Sequence, residues 1–474
     1  MLFSGTVFLF VFLPAALFCY YVPLKKSRTG RNILLTALSL LFYAWGEPLF
    51  AALMLLSILI NWLLVLAIEK HRQAPGRARL FLVVSIVCNL APLFVFKYLA
   101  FVIENLQRVI HTGWLSRISP EIALPLGISF FTFKAMSYVF DVHKGLAPAA
   151  KNPLDTALYI SFFPQLMAGP ITRWGTFAGQ LRERKTSFEG FAAGTQRFML
   201  GICKKMLLAN HLSPVADAAF AARSPSVALA WAGALAYTLQ IFFDFSSYSD
   251  MAIGLGRMFG FDTPENFDYP YISKSVSEFW RRWHISLGAW FRDYLYFPLG
   301  GSRVKSKARL VFNLFMVWFL TGAWHGASWT FIAWGLMYFA LIALEKLTGF
   351  EKKLGPFGRV YTLLSTVIGW VLFRAESLPA AVHYLGHMAG IGAGGLWDAL
   401  AAFHLRENAL FFALGLLFSL PAAPWLSKKL RASDNKPLRT ACDIAYALAL
   451  AALFVVSLTY IVKGAYNPFI YFNF

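Results

Sequence analysis

Charge is scarce in this chain. Of 474 residues only 14% are Asp, Glu, Lys or Arg, and acids are scarcer than bases, 23 against 43. A soluble domain carries about a quarter of its residues charged, so water is not the solvent for most of this polypeptide. Cysteine is equally sparse. Cys19, Cys88, Cys203 and Cys442 all sit in or beside apolar stretches, with no CxxC pair and no Cys/His ligand spacing, which argues against a disulfide framework and against a bound metal. Soluble-enzyme signatures are also missing. No Ser-His-Asp order, phosphate-binding glycine loop, dinucleotide fingerprint, HExxH or deaminase-type cysteine spacing occurs in a fitting context. There is no internal repeat, no low-complexity tract and no polar linker, so residues 1–474 read as a single membrane-embedded domain.

Apolar residues fill the space that charge leaves. They make up 58% of the chain, aromatics 17%, and the mean hydropathy is +0.58. Stretches long enough to cross a hydrocarbon core recur from end to end and predict roughly eleven to twelve transmembrane helices, an all-α polytopic membrane protein. Leu2 to Val22 has no basic region before it and no small-residue cleavage pattern after it, and Lys25, Lys26, Arg28 and Arg31 follow, so it reads as an anchor rather than a signal peptide. The net charge of +20 does not point to nucleic acid, because the bases cluster between apolar segments. Runs at Lys25–Arg31, Lys70–Arg79, Arg173–Lys185, Lys346–Arg359 and Lys428–Arg439 all fit on the cytoplasmic face with the N-terminus outside. Asp250–Arg309 is then cytoplasmic as well. Leu154–Pro170, apolar but short and containing Pro164, reads as re-entrant. Pro379–Leu405, with His383, His387 and His404 among glycines and alanines, reads as an outer interfacial helix and loop.

Three constellations carry chemistry. Leu310–Trp324 and Ala327–Leu344 are apolar runs that meet at Trp324-His325-Gly326. Sixteen residues rise only ~24 Å against a core of ~30 Å, so His325 is expected inside the far half of the membrane. A histidine there faces a bundle interior or a cavity and is a functional candidate by default, with helix-to-helix hydrogen bonding as the plain alternative. In Glu278–Tyr296 the residues Trp280, Trp283, His284, Leu287, Trp290, Phe291 and Tyr294 follow the spacing of one helix face, opposite Arg281, Arg282, Arg292 and Asp293. This predicts one basic amphipathic helix in the cytoplasmic interface. Its arginines suit the phosphates of an anionic donor such as coenzyme A, or lipid headgroups. The third constellation, Tyr237–Asp250, places Asp244 near membrane depth, where it is expected to hold a partner such as a cytoplasmic arginine or to orient a helix break, with a direct catalytic role as the alternative. Lys134, in mid-span, is expected to snorkel or pair.

These runs resemble a known family. SEFWRRWHISLGAWFRDYLYFPLGG at Ser277–Gly301 and TGAWHGASWTFIAWG at Thr321–Gly335 are similar to the membrane-bound O-acyltransferases, with the motif-bearing core at about residues 120–345. LPLGISFFTF from Leu124, SFFPQLMAGPITR from Ser161, YTLQIFFDFSSYSDMAIGLG from Tyr237 and the opening FSGTVFLFVFLPAALFCYY extend the likeness toward the bacterial alginate O-acetyltransferase branch. Beyond about Arg374 no motif matches. The resemblance implies a tunnel through the membrane, with Asp244, Trp283, Trp324 and Asn313 as structural or tunnel residues. It implies His325 as catalytic, His284 as a second motif position and acetyl-CoA as donor substrate, without a tightly bound cofactor. It also implies a polysaccharide acceptor, a periplasmic SGNH-type partner and residence in the bacterial inner membrane. Two alternatives stay open: D-alanyl-type transfer from a carrier-protein thioester, and a transporter of lipid-linked sugar without enzymatic activity.

Overall fold

A computed structural model describes residues 1–110, 122–432, 435–464 and 470; positions 433 and 434 of the basic run Lys428–Arg439 lie outside the described residues. The chain is 76% helical, with no strand among the described residues. Among the described residues five helices are long and apolar enough to cross a membrane: Pro48–Lys70, Pro75–Val109, Val227–Met258, Trp329–Thr348 and Lys436–Val462. A sixth results if Ala399–Glu407 and Ala409–Ser419, bent by 61°, form one broken span. The remaining apolar runs fold as shorter or interrupted helices. The opening segment, for example, starts as a π-helix at Phe8–Phe12 before becoming α-helical at Leu13–Tyr21. Pro379–Leu405, expected as an interfacial helix and loop, falls on two helices, Leu378–Met388 and Ala399–Glu407, joined by a glycine-bearing loop.

The chain divides into two compact units, Met1–Thr195 with Met251–Pro264, and Gln196–Asp250 with Glu265–Phe474. In the first, Pro48–Lys70 and Pro75–Leu93 pair through a reciprocal amide contact. Asn61 and Asn89 exchange hydrogen bonds of 3.0 and 2.7 Å in a buried site. The expected re-entrant stretch is a short helix, Pro153–Ser161, followed by wholly buried irregular backbone through Pro170. Backbone of that kind is tolerated at depth only where protein satisfies its polar groups. Ser39 Oγ accepts the Phe163 N–H at 3.0 Å, and Tyr159 donates to the Thr172 carbonyl at 2.9 Å. Lys134 does not snorkel. It is buried, donates to Gln165 Oε1 at 3.1 Å and stands 5.0 Å from the Tyr159 ring centre. Gln165 passes the chain on to Thr263 Oγ1 at 3.0 Å.

In the second unit the histidine-bearing helix, Lys307–His325, is followed after a three-residue turn by Trp329–Thr348, whose first turn is capped by Ser328 accepting the Thr330 N–H. Their packing is backbone against backbone. A Cβ on Gly322 would lie 2.5 Å from the Phe331 carbonyl oxygen, and one on Gly335 would lie 2.5 Å from the Trp318 carbonyl oxygen. Small residues at such crossings are how membrane helices gain close van der Waals packing when lipid offers no hydrophobic drive. The helix has 19 residues and rises about 28 Å, longer than the sixteen-residue estimate. Length alone therefore leaves His325 near the end of a full crossing, and its burial comes from the side chains around it.

Asp244, on Val227–Met258, pairs with Lys205 at 2.6 Å in a buried site and accepts the Ile470 N–H at 2.8 Å. The partner is thus a lysine from the preceding π-helical turn Lys205–Ala209 rather than the cytoplasmic arginine expected. Removing one member of a buried pair strands the other charge at about 3–5 kcal/mol, whereas replacing both is far milder. We expect Lys205→Met to lower the melting temperature of purified protein sharply and Lys205→Met/Asp244→Leu to recover most of it; equal melting of both variants would contradict the pairing. Gly335→Val should also destabilise, by about 1–3 kcal/mol from overpacking, read as lost monodisperse protein on size exclusion.

Candidate functional site

The stretch Glu278–Tyr296 is not the single amphipathic helix its spacing predicts. Val276–Arg282 and Ile285–Phe291 are two short helices, and a π-helical turn, Arg292–Tyr296, follows. They break at His284, whose φ of 45° and ψ of 53° lie in the left-handed region. Such a conformation costs a non-glycine residue about 1–3 kcal/mol and persists only where surroundings impose it. Here the first short helix is held at its start by Glu345, which accepts the Val276 N–H at 2.7 Å and the Ser277 N–H at 2.9 Å. Ser275 caps the same helix by accepting the Glu278 N–H at 3.0 Å. A carboxylate and a hydroxyl thus satisfy three first-turn donors that would otherwise be orphaned.

Asn266 holds the other side of the break. Its side-chain oxygen accepts from the Ser286 N–H at 3.1 Å and from the Ser286 hydroxyl at 2.9 Å, and lies 3.2 Å from His284 Nδ1. Its carbonyl accepts the Ile285 N–H at 3.0 Å, and its amide donates to Ser249 Oγ at 3.1 Å. A backbone N–H can only donate, so the atom facing Ser286 is oxygen and not the amide nitrogen. His284 Nδ1 must then carry the proton, which leaves the lone pair of the neutral ring on Nε2. His284 is 2% exposed and edge-on to Phe245, with ring centres 4.6 Å apart.

Trp324 joins the two histidines. Its ring centre is 6.2 Å from that of His284 and 4.9 Å from that of His325. Trp334 at 5.0 Å and Phe373 at 5.2 Å wall the remaining sides of the His325 ring, which is 5% exposed. The glycine after His325 has a steric cause, since a Cβ on Gly326 would stand 2.2 Å from the Phe331 ring. Trp283 stacks on Phe279 and lies 4.8 Å from Trp370. A chain of aromatic faces therefore runs from Trp283 through Trp370 and Trp334 to His325.

The remaining sequence candidates fall elsewhere. Asn313 is fully buried and donates to the Gly301 carbonyl at 3.1 Å, pinning the glycine turn. Arg282 is taken up by Asp268 at 2.8 Å and Glu278 at 3.0 Å, and Arg292 by Asp293 at 2.9 Å. Arg281 is exposed and, among the described residues, has no carboxylate in ion-pair range. Asn266, Glu345, Trp334 and Phe373 are site residues that the sequence reading passed over. Asn266 lies 18 positions from His284 and Glu345 lies 69 from Val276, separations at which no spacing rule operates.

Because Asn266 accepts from several groups at once, Asn266→Ala strands buried donors at about 1–3 kcal/mol each. Ser249→Ala removes only the outer bond and should be much milder. Thermal unfolding of the purified variants checks the order; an unshifted Asn266→Ala would contradict it.

Comparisons with known proteins bear on this site directly. The membrane-bound O-acyltransferase family profile matches residues 85–373, which contain both histidines. The chain is 38% identical to the probable alginate O-acetylase AlgI of Pseudomonas putida, over 100% of both chains. It is 33% identical to a peptidoglycan O-acetyltransferase of Helicobacter pylori, over 87% of this chain and 83% of that one. A teichoic acid D-alanyltransferase of Bacillus subtilis is 32% identical over 51% of this chain and 65% of its own. The chain belongs to the membrane-bound O-acyltransferase family and is a multi-pass membrane O-acyltransferase.

Proposed function

We propose that this acyltransferase moves an acetyl group from cytoplasmic acetyl-CoA across the bacterial inner membrane to a hydroxyl of an extracytoplasmic polysaccharide, or of a periplasmic SGNH-type partner that passes it on. The N-terminus lies outside in this arrangement, in keeping with the basic loops between spans. His325 is the general base. The observation that carries this reading is an imidazole at the end of a membrane helix, enclosed by Trp324, Trp334 and Phe373.

His325 takes the proton of the acceptor hydroxyl as its oxygen attacks the thioester carbonyl. The carbon–sulfur bond then breaks, and the proton passes to the departing thiolate, giving ester and free thiol. A thioester is already activated, so the protein contributes deprotonation, alignment and the exclusion of water. His284 and the Asn266 network are assigned to positioning. Arg281 and Arg292, both exposed, are assigned to the donor's phosphates.

Likeness to a probable alginate O-acetylase over the full chain and to a peptidoglycan O-acetyltransferase over 87% of it favours acetyl over D-alanyl, since the D-alanyltransferase match spans only about half of this chain. We expect cells carrying His325→Ala to insert the protein at wild-type level and to lose the O-acetyl esters of the surface polymer by about a hundredfold or more. Unchanged ester content would refute the assignment.

A further inference from the structure

The first unit contains a cleft that the acyl-transfer reading does not use. It lies at the turn joining Pro48–Lys70 to Pro75–Leu93 and is closed by the end of Ile128–His143. Its volume is about 310 Å³, and its lining divides into an apolar part, Ile68, Ala78 and Leu82, and a cationic or polar part, Arg72, Arg79 and His143. Neither arginine meets a carboxylate among the described residues. Arg72 donates to the Val142 carbonyl at 3.1 Å. Among the described residues His143 Nδ1 is buried without a hydrogen-bond partner. The acids nearest in sequence are engaged elsewhere: Glu69 accepts the Ala149 N–H at 3.0 Å and Asp141 the Gly175 N–H at 3.2 Å.

A further positive contribution comes from the backbone. Pro75 opens its helix on the cleft wall, the N-cap Ala74 supplies no side-chain acceptor, and the first turn contains no acid. The positive end of that helix is thus left for an external anion. The two helices also present apolar side chains outward beside the cleft: Leu80, Val83 and Val87 on one helix and Leu59 and Leu63 on the other are all about half exposed or more. Only 22% and 17% of the two spans' apolar windows are buried, so these faces meet lipid.

We propose that this cleft binds the phosphodiester of an anionic phospholipid without a headgroup amine, with Arg72, Arg79 and His143 around the phosphate and an acyl chain along the two outward faces. Two guanidiniums and a helix N-terminus favour a net negative headgroup and disfavour one that brings its own ammonium. The lipid-facing apolar surface beside the cleft favours a lipid over a soluble phosphate. The assignment is independent of the donor, acceptor and base proposed above.

The full-length protein, extracted in mild detergent, is mixed with equal amounts of phosphatidylglycerol and phosphatidylcholine and examined by native mass spectrometry, with thermal unfolding in parallel. We expect one retained phosphatidylglycerol, a rise in melting temperature with that lipid alone, and a loss of its binding by about thirtyfold in Arg72→Gln/Arg79→Gln. Leu82→Trp, which fills the cleft and keeps both arginines, should also lose the lipid, so the test survives if the double variant folds poorly. Equal retention of both lipids, undiminished phosphatidylglycerol in these variants, or the same stabilisation by millimolar inorganic phosphate would each overturn the proposal.

Discussion

The site depends on two helices approaching until their backbones touch. At Gly322 and Gly335 there is no room for a methyl group, and this contact sets how closely Lys307–His325 and Trp329–Thr348 run before the turn that ends in His325. With the helices so close, Trp334 and Phe331 from the second helix reach the end of the first. Trp334 forms one wall of the His325 ring, and Phe331 fills the space where a side chain on Gly326 would lie. Were the helices a side chain further apart, the imidazole would be wet, and the proposed use of it as a base in a water-excluded step would be forfeited.

The same economy of polar groups governs the neighbouring break. Two short helices meeting at a left-handed histidine expose several backbone donors at once, and the protein answers with the local cap Ser275 and two side chains from farther away in sequence, Asn266 and Glu345. Asn266 also settles which nitrogen of His284 carries the proton, through an obligate donor at Ser286. Strain at the turn, tautomer and helix capping are consequently one arrangement, and disturbing any part reaches the rest.

Much of this was legible in the sequence for a physical reason. Solvent preference is additive along the chain, so composition and apolar run length identified a helical membrane protein, and the meeting of two apolar runs at Trp324-His325-Gly326 singled out His325 before any fold was known. The motif resemblance supplied the chemistry. What could not be read was the break at Trp283-His284. Its aromatic spacing fits a continuous helix perfectly well, and only contacts from Asn266 and Glu345, far away in sequence, interrupt it. Lys134 was expected to snorkel or pair, and it pairs; its partner Gln165 could not be named because it lies 31 residues on, within irregular backbone. Asp244 was recognised as needing a base, but nothing local named Lys205.

The central claim is that an enclosed imidazole at the junction of two membrane helices transfers an acetyl group rather than conducting a substrate. Purified protein in liposomes, given acetyl-CoA labelled in its acetyl group and a soluble polysaccharide acceptor, measures this directly. The account calls for alkali-labile label on the acceptor in step with release of free coenzyme A thiol. Label that crosses the bilayer without forming an ester, or an acceptor that stays unlabelled while acetyl-CoA remains intact, would contradict it.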